Sequence, residues 1–158
     1  MRADHALAQL SFGHASAEEA VGALDASGLE GSTRGPENDP LARRLTAYAR
    51  GVADDFCDVR VAPGRRTDLQ RQILDQCRKI PYGETLTYGQ LATKVGFPGA
   101  ARAVGNCMAA NPIPLVIPCH RVVPARGQPG RYSAPGGATM KRKLLTMEAT
   151  VAARGELG

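Results

Sequence analysis

Tryptophan is missing from this 158-residue chain, and aromatics of any kind are scarce, with four Tyr and three Phe. A core must therefore be built from Leu, Val, Ile and Ala. At 43% hydrophobic residues the chain has enough of them for one ordinary domain, or for a small domain with a reduced partner. No run approaches the roughly 18 apolar residues that cross a bilayer as a helix, which argues against a membrane protein. The first twenty residues carry Asp4, His5 and His14 and no continuous apolar stretch, so no secretory signal is read and the expected location is cytoplasmic. The four cysteines (Cys57, Cys77, Cys107, Cys119) form no CxxC pair. Reduced thiols are expected in that compartment, and no structural zinc site or other metal.

Charge is unevenly placed. Residues 1–65 hold 7 basic and 10 acidic side chains, a balance of −3, whereas residues 66–158 hold 13 and 5, a balance of +8. A basic half suits a polyanion, because Lys and Arg displace counterions from phosphates. A merely soluble surface is the competing reading.

Local patterns order the chain. Residues 6–13 read as a short strand carrying Leu7, Leu10 and Phe12. Ser16 and Glu19 form a capping-box pattern that opens a helix. Residues 28–39 are a Gly/Ser/Asn linker, Pro40 suits a first helical position, and Leu41, Leu45, Tyr48 and Ala49 give a helical stripe. Residues 56–62 alternate like a strand. From Thr67 the texture changes. Thr67 and Gln70 make a second capping box ahead of Leu69, Ile73, Leu74, Cys77 and Ile80, and Thr87 and Gln90 make a third ahead of Leu91 and Val95. Gly96-Phe97-Pro98-Gly99 breaks that helix and Ala100–Ala110 resumes one, a helix-turn-helix pattern that many core helix pairs share. Leu115–Ile117 reads as a buried strand after Asn111-Pro112-Ile113-Pro114. Residues 125–137 form a Gly-rich loop, and a last helix is expected over Ala138–Glu148.

Cys119 is the residue that asks for chemistry. It follows an apolar run, sits beside Pro118 and precedes His120, and a neighbouring base is what makes a cysteine nucleophilic. On an extended segment adjacent side chains point apart, so a turn or a water would have to join the two. A buried structural cysteine is the alternative. Cys57, Cys77 and Cys107 fit packing positions better.

Pro118-Cys119-His120-Arg121-Val122 with Asn111-Pro112 upstream resembles the active-site segment of the O6-alkylguanine-DNA alkyltransferases. The likeness extends through Ile80-Pro81-Tyr82-Gly83-Glu84-Thr85, Thr87-Tyr88-Gly89-Gln90-Leu91-Ala92 and Ala101-Arg102-Ala103-Val104-Gly105 to Leu144-Leu145 and Glu148, and covers about residues 67–148. The resemblance implies single-turnover repair, in which alkyl groups on the O6 oxygen of guanine, and on the O4 oxygen of thymine, pass to Cys119 without a cofactor. It makes His120 the base acting through a water, Glu148 its orienter, Asn111 the brace of the turn and Tyr88 a proton donor to the flipped base. Tyr132, Ser133 and the backbone carbonyls near Cys119 and Val122 would line the base pocket. Arg102 would enter the duplex on a helix kept slim by Ala101, Ala103 and Gly105, as a narrow minor groove requires. The partner would be double-stranded DNA, met by a monomer.

Together these readings predict a mixed α/β (α+β) fold, with a reduced strand-helix domain over 1–65 and a mainly helical, winged-helix or helix-turn-helix-like domain over 66–158. The family's leading N-terminal strands have no counterpart, so a cut-down domain or an upstream start is expected, and no N-terminal metal ligands carry over. The loop from Ser133 to Gly137 is about two residues longer than the family's usual one, which bears on the size of alkyl group accepted. Two rivals remain: an alkyltransferase-like protein that binds alkylated DNA without repairing it, whose usual mark is a replaced acceptor cysteine, and a plain helix-turn-helix binding module.

Overall fold

In the computed structural model the described residues are 6–24 and 39–156. The expected linker at 28–39 falls almost wholly outside them. Six helices and a two-stranded sheet are seen among the described residues: α1 (Ala17–Gly22), α2 (Pro40–Ala49), α3 (Asp68–Arg78), β1 (Leu86–Thr87), α4 (Tyr88–Lys94), α5 (Ala101–Ala109), β2 (Val122–Val123) and α6 (Gly137–Glu156), with a single 3-10 turn at Cys119–Arg121. No helix among the described residues is long and apolar enough to cross a membrane.

The capping signals act as read. Thr67 and Gln70 bond reciprocally at the start of α3, and Thr87 and Gln90 do so at the start of α4, satisfying N–H groups that a helix end leaves open. The apolar stripe of α3 buries Ile73, Leu74 and Cys77. Against it pack Leu91 and Ala92 of α4 and Val104, Cys107 and Met108 of α5. Tyr48 and Phe56 belong to the same buried cluster.

β1 and β2 pair in parallel, Leu86 with Val122 and Thr87 with Val123. Thr87 is thus both the last strand residue and the N-cap of α4. That double duty places Tyr88, the first residue of α4, beside the segment that follows Cys119.

Three expected strands are different in the structure. Residues 6–13 and 56–62 reduce to one parallel bridge, Leu7 to Val61, while Leu10 N turns away to donate to Pro112 O at 2.9 Å. The reason lies at Phe56, which has φ 50°, outside any strand. Asp54 caps its N–H at 2.8 Å, and Arg78 Nη2 donates to the carbonyls of Phe56, Cys57 and Val59 at 2.9–3.2 Å. Backbone groups satisfied in that way have no need of a partner strand. Leu115–Ile117 is a tight turn instead of a strand, with Leu115 at φ 72° and Ile117 N bonded to Ile113 O at 2.9 Å. Prolines at 112, 114 and 118 remove the donors a ladder would need.

The last helix continues two turns beyond Glu148, so Glu148 lies in its middle. There the helix crosses the turn at Pro81–Glu84. A Cβ on Gly83, which sits at φ 81°, would stand 2.6 Å from the Ala152 side chain. Gly83→Ala combines an unfavourable φ with that overlap, and a loss of about 2–4 kcal/mol is expected. Urea unfolding measures it. A midpoint equal to wild type would mean that α6 does not press on this turn as described.

Candidate active site

The nucleophile candidate is presented by one turn of 3-10 helix. Arg121 N donates to Pro118 O at 2.9 Å and Cys119 N to Ile117 O at 2.7 Å. Three residues per turn spread the side chains about 120° apart. Cys119, His120 and Arg121 therefore point in three directions, where an extended segment would alternate them. Asn111 holds the preceding turn from both ends: its Oδ1 accepts from Ile113 N at 3.0 Å and its Nδ2 donates to Ile117 O at 2.8 Å.

Cys119, 2% exposed, lies at the floor of a cavity of about 670 Å³. Tyr88, Tyr132 and Ser133 line it, and Arg102 and Gly105 stand on its rim from α5. Gly130 keeps the wall thin, since a Cβ there would lie 3.0 Å from the Pro124 ring and 3.4 Å from Tyr88 Oη. Arg102 is exposed, and its small neighbours Ala101 and Ala103 are half-buried on the same helix without lining the cavity.

Behind the floor is a buried charge network. Glu148, 1% exposed, receives five hydrogen bonds. Oε1 accepts from Tyr48 Oη at 2.5 Å, His120 Nε2 at 2.9 Å and Arg121 Nη2 at 2.9 Å. Oε2 accepts from Arg121 Nε at 2.9 Å and Gly83 N at 3.2 Å. Burial alone would push the carboxyl up, but the bonds and charges of His120 and Arg121 outweigh it and hold it at about 2. An ionised carboxylate only accepts, so His120 carries its proton on Nε2 and keeps a lone pair on Nδ1. That Nδ1 is buried and has no hydrogen-bond partner among the described residues.

Burial lowers the His120 imidazole below its ordinary value despite Glu148, leaving it neutral near pH 7. Burial likewise raises the Cys119 thiol, against the opposing pull of Asn111 and of the Lys141 charge. The resting pair is thus a thiol and a neutral imidazole, and a thiolate there forms only when a proton is transferred.

Lys141, on α6, was not singled out by any motif. It is 1% exposed, donates from Nζ to Val122 O at 2.6 Å and lies 3.5 Å from both Tyr88 Oη and Arg131 O. The Val122 carbonyl, expected to meet the substrate, therefore already accepts one strong bond and offers a second lone pair at most. Tyr132 packs edge-on to His120 at 6.5 Å, with its buried hydroxyl also unpartnered among the described residues.

Of the residues read from sequence, Cys119, Tyr88, Tyr132, Ser133, Arg102 and Gly105 meet at one cavity. His120, Glu148 and Asn111 support its floor, Val122 contributes a carbonyl from behind, and Ala101 and Ala103 stand off. Tyr48, Gly83, Arg121 and Lys141 were missed as site residues. Only a lysine and a glutamate seven residues apart on one helix, Lys141 and Glu148, hinted at a shared inward face.

Known proteins resemble this chain in sequence and in fold. The family described as "6-O-methylguanine DNA methyltransferase, DNA binding domain" matches residues 68–150. A methylated-DNA–protein-cysteine methyltransferase of Methanosarcina acetivorans is 42% identical over 107 residues, covering 68% of this chain and 66% of that protein. One from Mycobacterium tuberculosis is 45% identical over 105 residues, covering 66% and 61%. The matched part therefore spans just under two thirds of the length of these relatives. The crystal structure of Mycobacterium tuberculosis OGT in complex with DNA superposes with a TM-score of 0.66 at 42% identity, over 72% of this chain and 66% of that one. By sequence and by fold, the chain belongs to the 6-O-methylguanine DNA methyltransferase family.

Proposed function

We propose that this chain transfers methyl or other alkyl groups from the O6 oxygen of guanine in duplex DNA, and from the O4 oxygen of thymine, to its own Cys119, once per molecule. The observation that carries the reading is the placement of Cys119 at the floor of a cavity with the His120–Glu148 pair directly behind it.

The steps balance without a cofactor. His120 Nδ1 takes the thiol proton through a bridging water, and Glu148 holds the imidazolium that results. Sulfur forms a bond to the alkyl carbon as that carbon's bond to O6 breaks. The electron pair goes to the purine, which takes a proton from Tyr88 and leaves neutral. Lys141, 3.5 Å from Tyr88 Oη, is placed to offset the phenolate charge left behind. The thioether has no good leaving group, so the protein is spent.

A stacked base cannot reach a sulfur this deep, so the alkylated nucleotide must leave the helix. Arg102, exposed on the rim, would fill the space it vacates. The slim face of Ala101, Ala103 and Gly105 would let α5 enter the minor groove. The basic balance of residues 66–158 supplies phosphate contacts for a monomer on double-stranded DNA. A protein that only recognised alkylated DNA would have no use for a thiol backed by a base and an orienting carboxylate.

Two experiments test this. Intact mass after incubation with excess O6-methylguanine duplex should show one added methyl group, on Cys119, and never more than one equivalent. The Cys119→Ala variant should gain none yet still bind the duplex. No gain in the wild type would leave the binding-only alternative standing.

Arg102→Ala should slow transfer from duplex DNA by about tenfold or more, because the cost of holding a base out of the stack is a few kcal/mol. Transfer from free O6-benzylguanine should change less than about twofold, since a free base needs no extrusion. Equal losses on both substrates would show that Arg102 acts on the fold instead.

A further inference from the structure

Tyr48 lies on α2, far in sequence from every motif that marks the site. It is 100 residues from Glu148 and 72 from His120. Its side chain is nevertheless 2% exposed and ends on the pair that sits behind the nucleophile. The hydroxyl donates to Glu148 Oε1 at 2.5 Å and lies 3.4 Å from His120 Nε2. His120 Nε2 donates to that same Oε1 at 2.9 Å. Three polar atoms from three separate parts of the chain thus close a triangle.

We propose that Tyr48 is a positioning residue for alkyl transfer, its hydroxyl fixing the aim of the Glu148 carboxylate and setting how strongly that carboxylate draws the proton on His120. The inference rests on the transfer reading of the site and adds a residue to it from outside residues 68–150, which match the family.

The physical argument is competition for one oxygen. A carboxylate oxygen that already accepts a short, charge-assisted bond gives less of its charge to its next donor. Tyr48 therefore moderates the pull of Glu148 on His120 and keeps the imidazole a weaker base than Glu148 alone would make it. Its own proton is secure, since burial and then the Glu148 charge push the phenol far above its ordinary range. It stays a donor at every working pH.

The ring is held firmly enough to act this way. It packs on Phe56 at 5.6 Å and edge-on to Tyr82 at 6.0 Å. α2 itself is clamped by Arg44, which binds Asp54 and Asp58 in two-pronged fashion at 2.7–2.8 Å and covers the Phe56 ring. A phenylalanine would fill the same space. A hydroxyl buried against a carboxylate is retained only where the bond is made, because an unmade one would cost the full desolvation of the group.

The other groups facing His120 stay constant when Tyr48 is changed. They are Cys119 and Arg121 on its own turn, Glu148 and Lys141 on α6, and Tyr132 on the Gly-rich loop, with Tyr82 behind Tyr48. Arg121 and Lys141 lower the imidazole's affinity for protons and Glu148 raises it.

The test is the Tyr48→Phe variant, read two ways. Histidine-ring nitrogen NMR across pH follows His120 directly and needs no substrate. Its midpoint should rise by about half a unit or more, because the freed Oε1 draws harder on the ring. Transfer from O6-benzylguanine should fall several-fold on its plateau, and its acid limb should move up by the same shift as His120. Should that variant fail to fold, 3-fluorotyrosine at position 48 keeps the packing and donates more strongly, so the midpoint should move down. A His120 midpoint unmoved in either variant overturns the proposal, even if the melting temperature falls, since a packing role lowers stability without retuning the ring. Absence of any transfer by the wild type would instead count against the transfer reading, with the NMR result still deciding the role of Tyr48.

Discussion

A carboxylate taken out of water must be compensated where it lies, and in this fold Glu148 sets that condition for everything around it. Five donors meet it, from α2, from the turn at Pro81–Glu84 and from the 3-10 turn that carries Cys119. Removing a partner from such a group leaves a buried uncompensated charge, which typically costs about 3–5 kcal/mol. The arrangement is not thereby a device for stability, since well-packed apolar side chains of similar volume often serve a core as well or better. Its specific product is orientation. One side chain fixes the direction of the His120 ring, the tautomer on that ring and the seat of Arg121, whose third contact is Ile80 O at 2.8 Å.

The same burial sets the protonation of the candidate nucleophile. Low polarity around Cys119 and His120 disfavours both the thiolate and the imidazolium, so the centre rests uncharged on those two residues while Glu148 and Arg121 carry opposite charges behind them. A buried thiol is poorly reactive toward stray electrophiles. For the single transfer proposed here, that restraint has an evident use. Lys141 adds a cation that favours the thiolate when it forms, yet its Nζ is pinned to Val122 O, so the help comes from a fixed position and costs no rearrangement during reaction.

How much of this was legible in the sequence follows from how local each signal is. The capping boxes at Thr67 and Thr87 are complete within four residues, and the helices they announce are where they were expected. The run Pro118–Val122 singled out Cys119 and His120 because the two are adjacent. The strands expected at 6–13, 56–62 and 115–117 failed because backbone groups there find partners that no periodicity encodes, such as the Arg78 guanidinium and the Asn111 amide. Tyr48 was read as one apolar position in a helical stripe, which it also is. Its hydroxyl's partner lies 100 residues away, so its second role becomes visible only in three dimensions. Arg121 and Lys141 look like two more contributors to a basic surface, and instead both are buried and satisfied by internal acceptors.

Under the proposed chemistry the contact with DNA and the chemical step must be in register, and the small sheet provides the link. β1 runs directly into α4, which packs on α5, the helix that carries Arg102 to the rim. β2 begins one residue after the 3-10 turn that carries Cys119. The pairs Leu86–Val122 and Thr87–Val123 therefore join the helix pair to the turn that carries Cys119. Reacting atoms must be held to about half an ångström for productive attack. An enzyme that turns over needs a way to open and release product. Under the proposed transfer the product stays on sulfur and no such opening is needed, so a DNA-contacting α5 and Cys119 would share one unit, and the paired strands are the link between them.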